Sequence, residues 1–325
     1  MPYGNDDPGR DDGMTVLTDT ADRIRNMEIR GAVKIGRAAA SAMKEEAKSI
    51  QTDDLQVFNE QMRKAYRLLY STRPTAVTLP NALRYVMRYE AKTVDEARRA
   101  IIANADAFIA NSESAVKRIG EIGAHRIKDG DTILTHCNSS VAFQIFETAF
   151  KQGKNINVVA TETRPRQQGY ITVDFLQKVG IPTTLILDSA VRYYMKKVDL
   201  VIVGADAITA NGSLINKVGT SQVALAANEA RVSFICAAET YKFSPGSVLG
   251  EMVDIEERDP SEVLSPELQK KWPKLKVSNP AFDVTPHKYI DMIITEIGAI
   301  SPEMAYWVIK DRLGWELEET AGGVQ

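Results

Sequence analysis

Six short apolar runs recur after Gly130 and constrain the fold more than any other feature of the chain. They cover residues 132–137, 156–161, 183–187, 200–203, 232–237 and 292–295. Most are separated by stretches with helical periodicity or good helix formers. A strand that reads as a near-continuous apolar run is one buried on both faces, and alternating helices are what bury it. The pattern predicts an α/β fold over 129–325, a Rossmann-like parallel sheet with helices on both faces. One stretch breaks the rhythm: residues 243–286, rich in Pro, Glu and Lys, form a long excursion before the last strand.

Upstream the period is helical, and residues 16–128 are predicted to form an N-terminal helical domain. Its clearest start is Thr93-Val94-Asp95-Glu96, a capping box. Ile101, Ala105, Phe108, Ser112, Ala115, Ile119 and Ile122 then recur at steps of three and four, along one helix face. Pro74 and Pro80 interrupt earlier helices. Arg73-Pro74-Thr75 is expected to be an extended turn, since the residue before proline avoids the α region. The first 15 residues, dominated by Gly, Pro and Asp, are expected to be a disordered tail.

Composition excludes several functions. With 40 Lys+Arg against 43 Asp+Glu, the net charge of −3 supplies no bulk positive field, so no nucleic-acid partner is expected. No stretch approaches the ~20 uninterrupted apolar residues of a membrane span, so no membrane partner is expected either. Cys137 and Cys236 are too few for a disulfide framework and suit a reducing compartment. The acidic N-terminus lacks the basic start and apolar run of a secretory leader, and the expected location is cytoplasmic. Neither G-x-G-x-x-G after the first strand nor G-x-x-x-x-G-K-[ST] occurs, so no nucleotide cofactor is called for. His125, His136 and His287 are scattered without ligand spacing, and no metal is expected.

Ligands of open α/β sheets bind beyond the carboxyl ends of the strands. The predicted strands exit into His136-Cys137-Asn138-Ser139-Ser140, Glu162-Thr163-Arg164, Asp188-Ser189 with Arg192, Gly204-Ala205-Asp206, Glu239-Thr240-Tyr241-Lys242 and Glu296. That is far more ionisable chemistry at one edge than a structural sheet requires. Cys137 is either a small buried hydrophobe or a thiol activated at the start of a helix, where amide groups favour a thiolate. Cys236 reads as core. Asp206 is either a turn cap or a carboxyl held protonated in a partly apolar pocket. A Cys–His dyad with His136 is not expected, because adjacent strand residues face opposite ways.

Most single cations are surface charges. Arg30-Gly31-Ala32 and Arg73-Pro74-Thr75 differ, since each couples a guanidinium to a small or constrained backbone, a combination suited to phosphate. Lys217 precedes Val218-Gly219-Thr220, another candidate backbone cradle.

These segments resemble the superfamily joining sugar-1-phosphate aldose–ketose isomerases to the regulatory α, β and δ subunits of translation initiation factor 2B. The motifs are Arg30-Gly31-Ala32, Arg73-Pro74-Thr75, Thr135-His136-Cys137, Glu162-Thr163-Arg164-Pro165 with Gln168-Gly169, Gly204-Ala205-Asp206 and Asn216-Lys217-Val218-Gly219-Thr220. They occur in order over nearly the whole chain after the tail. Segments 238–243 and 279–286 are most similar to the archaeal ribose-1,5-bisphosphate isomerase branch. The resemblance implies Cys137 and Asp206 as the catalytic pair. It implies substrate contacts from Arg30, Gly31, Ala32, Val33, Arg73, Ser139, Ser140, Gln168, Asn216, Lys217 and Lys242. Asn138-Ser139-Ser140 departs from the pattern, lacking a lysine that some bisphosphate isomerases carry there.

The implied reaction converts ribose 1,5-bisphosphate to ribulose 1,5-bisphosphate during AMP and nucleoside degradation. An acid protonates the ring oxygen, a base moves a proton from C2 to C1, and an enol lies between. The resemblance further implies a homo-oligomer, either a dimer or a hexamer of dimers, and AMP as a candidate activator. Two alternatives stand beside it. One is methylthioribose-1-phosphate isomerase of methionine salvage, with a thioether in place of the second phosphate. The other is a non-catalytic subunit that binds initiation factor 2 or a nucleotide, which has no need of both Cys137 and Asp206.

Overall fold

The computed structural model describes residues 15–29, 31–73, 77–249 and 254–314. Of the expected tail, residues 1–14 lie outside the described residues, as do Arg30, Pro74 and Thr75. Thr15 belongs to a helix end instead, its hydroxyl accepting the N–H of Thr18. The chain divides into two compact units, one running to Pro74 and including Leu79–Ala110, the other holding Thr75–Thr78 and everything from Asn111 onward.

The first unit is built from α1 (Val16–Arg25), α2 (Ala32–Ser49), α3 (Leu55–Tyr70), most of α4 (Thr78–Val86) and the first half of α5 (Val94–Ala124). Ile24, Ile35, Met43, Phe58, Met62, Leu69, Leu83, Ile101 and Phe108 are buried in it, so the three- and four-residue spacing does place one face of each helix inward. Helix ends are closed locally. Asp54 accepts the N–H groups of Gln56 and Val57 at the start of α3. Arg98 donates to the carbonyls of Ala47 and Ile50 at the end of α2, where backbone acceptors have no intrahelical partner. At the start of α5, Thr93 Oγ1 accepts the Glu96 N–H, while the Glu96 carboxylate reaches back to the N–H of Lys92.

The second unit is a seven-stranded sheet of order β10-β9-β7-β4-β1-β2-β3. All six predicted runs are strands: β1 (Thr132–Thr135), β2 (Asn157–Thr161), β3 (Thr183–Ile186), β4 (Leu200–Val203), β7 (Ser233–Ala237) and β9 (Met292–Thr295). They are mutually parallel, and β10 (Gly298–Ile300) adds an antiparallel edge. Alternate residues feed two separate cores. Leu134, Val201, Val203, Phe234, Cys236 and Ile293 enter one, while Ile133, Leu200, Ile202, Ile235 and Ile294 enter the other. Each layer is closed by helices among α6 (Ser140–Lys151), α7 (Gly169–Val179), α8 (Val191–Tyr194) and α9 (Thr220–Ala230). Ile119 and Ala124 of α5 belong to the second core.

A second, smaller sheet was not anticipated. It is antiparallel, of order β5-β6-β8, formed by β5 (Ala207–Ile208), β6 (Leu214–Lys217) and β8 (Phe282–Thr285). Its strands are too short and mixed in polarity to stand out by period. Apart from β8, the described part of the excursion consists of short turns, an isolated bridge between Glu257 and Pro280, and the short helix α10 (Pro266–Lys271). Among the described residues, no helix is long and apolar enough to cross a membrane.

Candidate active site

From β1 the chain steps outward to β2 and β3, then returns to lay β4 on the other side of β1. The loops leaving β1 and β4 therefore diverge, and this switch point is where an open α/β sheet forms its crevice. Cys137 follows β1 and Asp206 follows β4, so the two candidate catalytic residues flank the switch point.

Cys137 has φ +67°, a left-handed conformation rare outside glycine. Two threonines hold it there: its N–H donates to Thr163 Oγ1 at 2.9 Å, and its carbonyl accepts from Thr172 Oγ1 at 2.7 Å. Thr163 also has positive φ, and its N–H and that of Arg164 donate to the Asp188 carboxylate beyond β3. His136 is buried, with Nδ1 against Thr161 Oγ1 at 2.6 Å and Nε2 against the Val218 carbonyl at 2.9 Å. Since a carbonyl only accepts, Nε2 carries the proton and Nδ1 accepts from Thr161. Burial holds His136 below its usual pKa, consistent with a neutral ring serving as a brace.

Burial, followed by the Asp206 charge, pushes Cys137 up to about 12, against the lowering influence of Lys217 and Arg258. Burial and the Asp206 carboxylate thus both favour the protonated thiol of Cys137. The helix that follows, α6, begins only at Ser140, and its N-terminus is capped by the Ser139 hydroxyl at the N–H of Ala142. Ser139 also lies against Gly204, where an added Cβ would come 2.4 Å from its Oγ.

The small sheet supplies the cationic wall. Asp206 enters it through its N–H, donated to Ile215 O. Asn216 and Lys217 are buried on β6. Asn216 Nδ2 donates to Thr220 Oγ1 at 3.0 Å, and Lys217 Nζ sits 5.1 Å from the centre of the Phe282 ring. Burial lowers the Lys217 pKa, with Arg258 pushing the same way and Cys137, Asp206 and Glu256 opposing. Lys242 is also buried and donates to the Ala205 carbonyl at 2.7 Å, bracing the Gly204-Ala205-Asp206 turn from behind. Gln168 sits just ahead of α7 with no side-chain cap bond, and Ser140 is exposed.

Several expected features fall elsewhere. The cradle at Val218-Gly219-Thr220 is already filled: the Asp283 carboxylate accepts the N–H groups of Gly219 and Ser221 and the Ser221 hydroxyl. Arg192 pairs with Glu229 on the surface rather than joining the edge cluster. Glu296 is spent on the N–H and hydroxyl of Thr240, and Glu239 accepts from Ser112. Gly31, Ala32, Val33 and Arg73 belong to the helical unit. There Gly31, at φ +85°, precedes α2, whose N-terminus has no side-chain cap. Among the described residues, no cluster of His, Cys, Asp and Glu is arranged to hold a metal ion.

The family model described as the initiation factor 2 subunit family matches residues 28–302. The chain belongs to that family. It is 53% identical to the ribose 1,5-bisphosphate isomerase of Methanocaldococcus jannaschii over 93% of this chain and 97% of that protein. Among solved structures, it resembles the translation initiation factor eIF-2B of Pyrococcus horikoshii, with a TM-score of 0.76 and 30% identity, covering 88% of this chain and 97% of that one. It also resembles 5-methylthioribose 1-phosphate isomerase from the same organism, with a TM-score of 0.72 and 32% identity, over 92% and 87% of the two chains.

In this member of the initiation factor 2 subunit family, the edge cluster includes residues that sequence reasoning passed over. Thr161 and Thr172 join the strand-exit residues Thr163 and Asp188 in bracing the Cys137 turn, yet Thr161 is an ordinary strand-end residue by type and Thr172 an ordinary residue of the first turn of α7. Arg258 and Glu256 lie in the excursion, where Pro and charge signalled only irregular chain. The signal that could have found them is composition: an arginine between carboxylates in a segment too long to be a plain connection.

Proposed function

We propose that this chain is an aldose–ketose isomerase that converts ribose 1,5-bisphosphate to ribulose 1,5-bisphosphate. The observation that carries the reading is its near-full-length likeness to the Methanocaldococcus jannaschii isomerase. The presence of a thiol and a carboxylate on either side of the switch point supports it, because a regulatory subunit needs neither.

In this reading Cys137 and Asp206 act as a coupled pair sharing one proton. At rest that proton is on sulfur, since burial and the Asp206 charge both raise the thiol. The reactive form carries it on Asp206, leaving a thiolate that Lys217 and Arg258 stabilise. Asp206 then protonates the ring oxygen as its bond to C1 breaks, and the Cys137 thiolate takes the proton from C2. The resulting enol spans C1 and C2. Cys137 returns its proton to C1, the C2 hydroxyl gives its proton to the Asp206 carboxylate, and the C2 ketone forms with both groups restored. Acid–base steps of this kind typically contribute ~10²–10⁴-fold.

Lys217 and Asn216, with Ser139, Ser140, Gln168 and Lys242, are assigned to substrate in the second unit. Arg30, Gly31, Ala32, Val33 and Arg73 are assigned to it from the helical segment of the chain. A cytoplasmic place in nucleoside monophosphate breakdown, activation by AMP and assembly into dimers or hexamers belong to the same proposal.

Proton NMR in heavy water tests it, with ribose 1,5-bisphosphate in one tube and methylthioribose 1-phosphate in another. Conversion of the bisphosphate alone is the expected result, and deuterium at C1 reports how well the base is shielded. Turnover of only the thioether sugar assigns the chain to the other isomerase class. No turnover of either removes Cys137 and Asp206 from catalysis.

A further inference from the structure

The excursion brings a guanidinium to the active-site edge through a continuous backbone ladder. Lys217 of β6 is paired with Phe282 of β8, and one step on, Val218 N–H donates to the Ala281 carbonyl at 3.1 Å. Ala281 N–H in turn donates to the Glu256 carbonyl at 2.8 Å, and Arg258 N–H to Asn279 O at 2.9 Å. Glu257 and Pro280 form the bridge between these two segments. Residues 256–258 thus lie two backbone steps across from Lys217–Val218. With extended alternation, Glu256 and Arg258 share one face. A second tie fixes the segment a few residues later. Arg166, on the loop after β2, donates through Nε and Nη2 to Glu262, which also accepts from Asn279.

Arg258 is placed with unusual economy of partners. Its side chain is 11% exposed, and Nε donates to Glu256 Oε1 at 3.2 Å. Among the described residues, its two Nη groups have no hydrogen-bond acceptor. A guanidinium carries five N–H donors in a rigid fork, and the two Nη groups, absent from the buried unpartnered atoms, are reachable from solvent, where a ligand can take those donors. The ligand chemistry that matches a planar cationic fork is a tetrahedral oxyanion. The charges of Arg258 and Glu256 both act on Lys217, and that of Arg258 reaches the Cys137 thiol, so the fork is near the proposed reacting centre.

We propose that Arg258 is a substrate-binding residue: its Nη fork takes a phosphate group of the sugar phosphate while Glu256 holds Nε. This rests on the reading of the chain as a sugar bisphosphate isomerase and adds a phosphate ligand from the excursion to that site. Glu256 sets the plane of the guanidinium, and the Arg166–Glu262 pair keeps the segment against the β2 loop. Because the fork is prepositioned, phosphate binding replaces no internal Nη bond.

The test uses the full chain with Arg258→Met, which keeps the stem and removes the fork, and Arg258→Lys, which keeps the charge alone. Circular dichroism and melting establish that each variant is folded, and Arg258→Lys serves if Arg258→Met is not. Steady-state kinetics with ribose 1,5-bisphosphate are read beside calorimetric binding of ribulose 1,5-bisphosphate. Loss of a charge-assisted contact should raise KM and the product Kd together by about 10–100-fold in Arg258→Met, with kcat changed less. Arg258→Lys should fall between. Unchanged KM and Kd, or a fall in kcat alone, overturns the proposal. If the wild type fails to turn over the bisphosphate, the isomerase reading fails separately. Calorimetry with inorganic phosphate then decides on Arg258: at least about tenfold weaker binding by Arg258→Met supports it, and equal binding overturns it.

Discussion

Cys137 donates its backbone N–H to the hydroxyl oxygen of Thr163, 26 residues away on the next strand's exit, at 2.9 Å. The bond joins two non-glycine residues that both have positive φ, and such local strain concentrates where a side chain must be aimed. Thr163 Oγ1 also contacts Thr161 Oγ1, which meets the buried His136 ring. The thiol is therefore positioned by a side-chain chain running behind the sheet edge.

Removing the acceptor tests that chain. Thr163→Val leaves the Cys137 N–H unpaired in a mostly buried setting, at a cost of about 1–3 kcal/mol by urea denaturation. Turnover of ribose 1,5-bisphosphate should fall chiefly in kcat, because the base is mis-aimed while the binding cations stay. Thr163→Ser should restore both. Equal kinetics for the Val and Ser variants would mean that the hydroxyl does not position the thiol.

Asp206 should control how readily Cys137 reacts with an electrophile. With the thiol pushed up to about 12, alkylation by iodoacetamide is expected to be slow at pH 8 and to climb about tenfold per pH unit. Asp206→Asn removes a negative charge that disfavours the thiolate, so the pKa falls and alkylation at pH 8 speeds up. Mass spectrometry of the labelled peptide separates Cys137 from Cys236, which is fully buried and held up to about 12 as well. A slower reaction in Asp206→Asn contradicts the coupling.

The main sheet was legible because most of its six parallel strands are apolar runs buried on both faces, which leaves few other readings; the edge strand β3, with Thr184 and Leu185 exposed, is the exception. The helix face from Ile101 to Ile119 was legible for the same reason, with Ile101, Ala105, Phe108, Ser112, Ala115 and Ile119 all buried. Cys137 and Asp206 could be singled out because strand exits are where an open sheet places chemistry. The small sheet was not readable, since β5 spans two residues and β8 alternates Phe282, Asp283, Val284 and Thr285 without a clear inner face. Asp283 illustrates the limit. Its partners lie 62–64 residues earlier in the chain, and no local pattern reveals that a carboxylate fills the turn before α9.

Acid should weaken the fold through His136. Burial depresses its folded-state pKa below the unfolded value near 6.5, so between the two the unfolded chain binds the extra proton. The stability contributed by the neutral ring is present above about pH 6.5 and is lost as pH falls through the depressed folded value. Melting temperatures measured from pH 8 to 5 should fall for the wild type and fall less for His136→Gln, which has no titrating ring. Parallel curves for the two proteins would assign the acid sensitivity to other groups.

Asp283 links the start of α9 to the strand that carries Lys217. Its carboxylate accepts Gly219 N–H at 2.7 Å and the Ser221 hydroxyl at 2.8 Å, while its backbone is paired with Asn216 in the β6–β8 register. An anion at a helix N-terminus is favoured both by the unpaired N–H groups and by the helix dipole. Asp283→Ala removes all of these and should cost about 1–2 kcal/mol in urea denaturation. Asp283→Asn keeps an acceptor but loses the charge, and should cost about 0.3–1 kcal/mol. The same change reaches the site, because Gly219 stands two residues from Lys217. KM for the bisphosphate should rise in Asp283→Ala and stay nearer the wild type in Asp283→Asn. A stability loss without any change in KM would confine Asp283 to capping and free Lys217 from its influence.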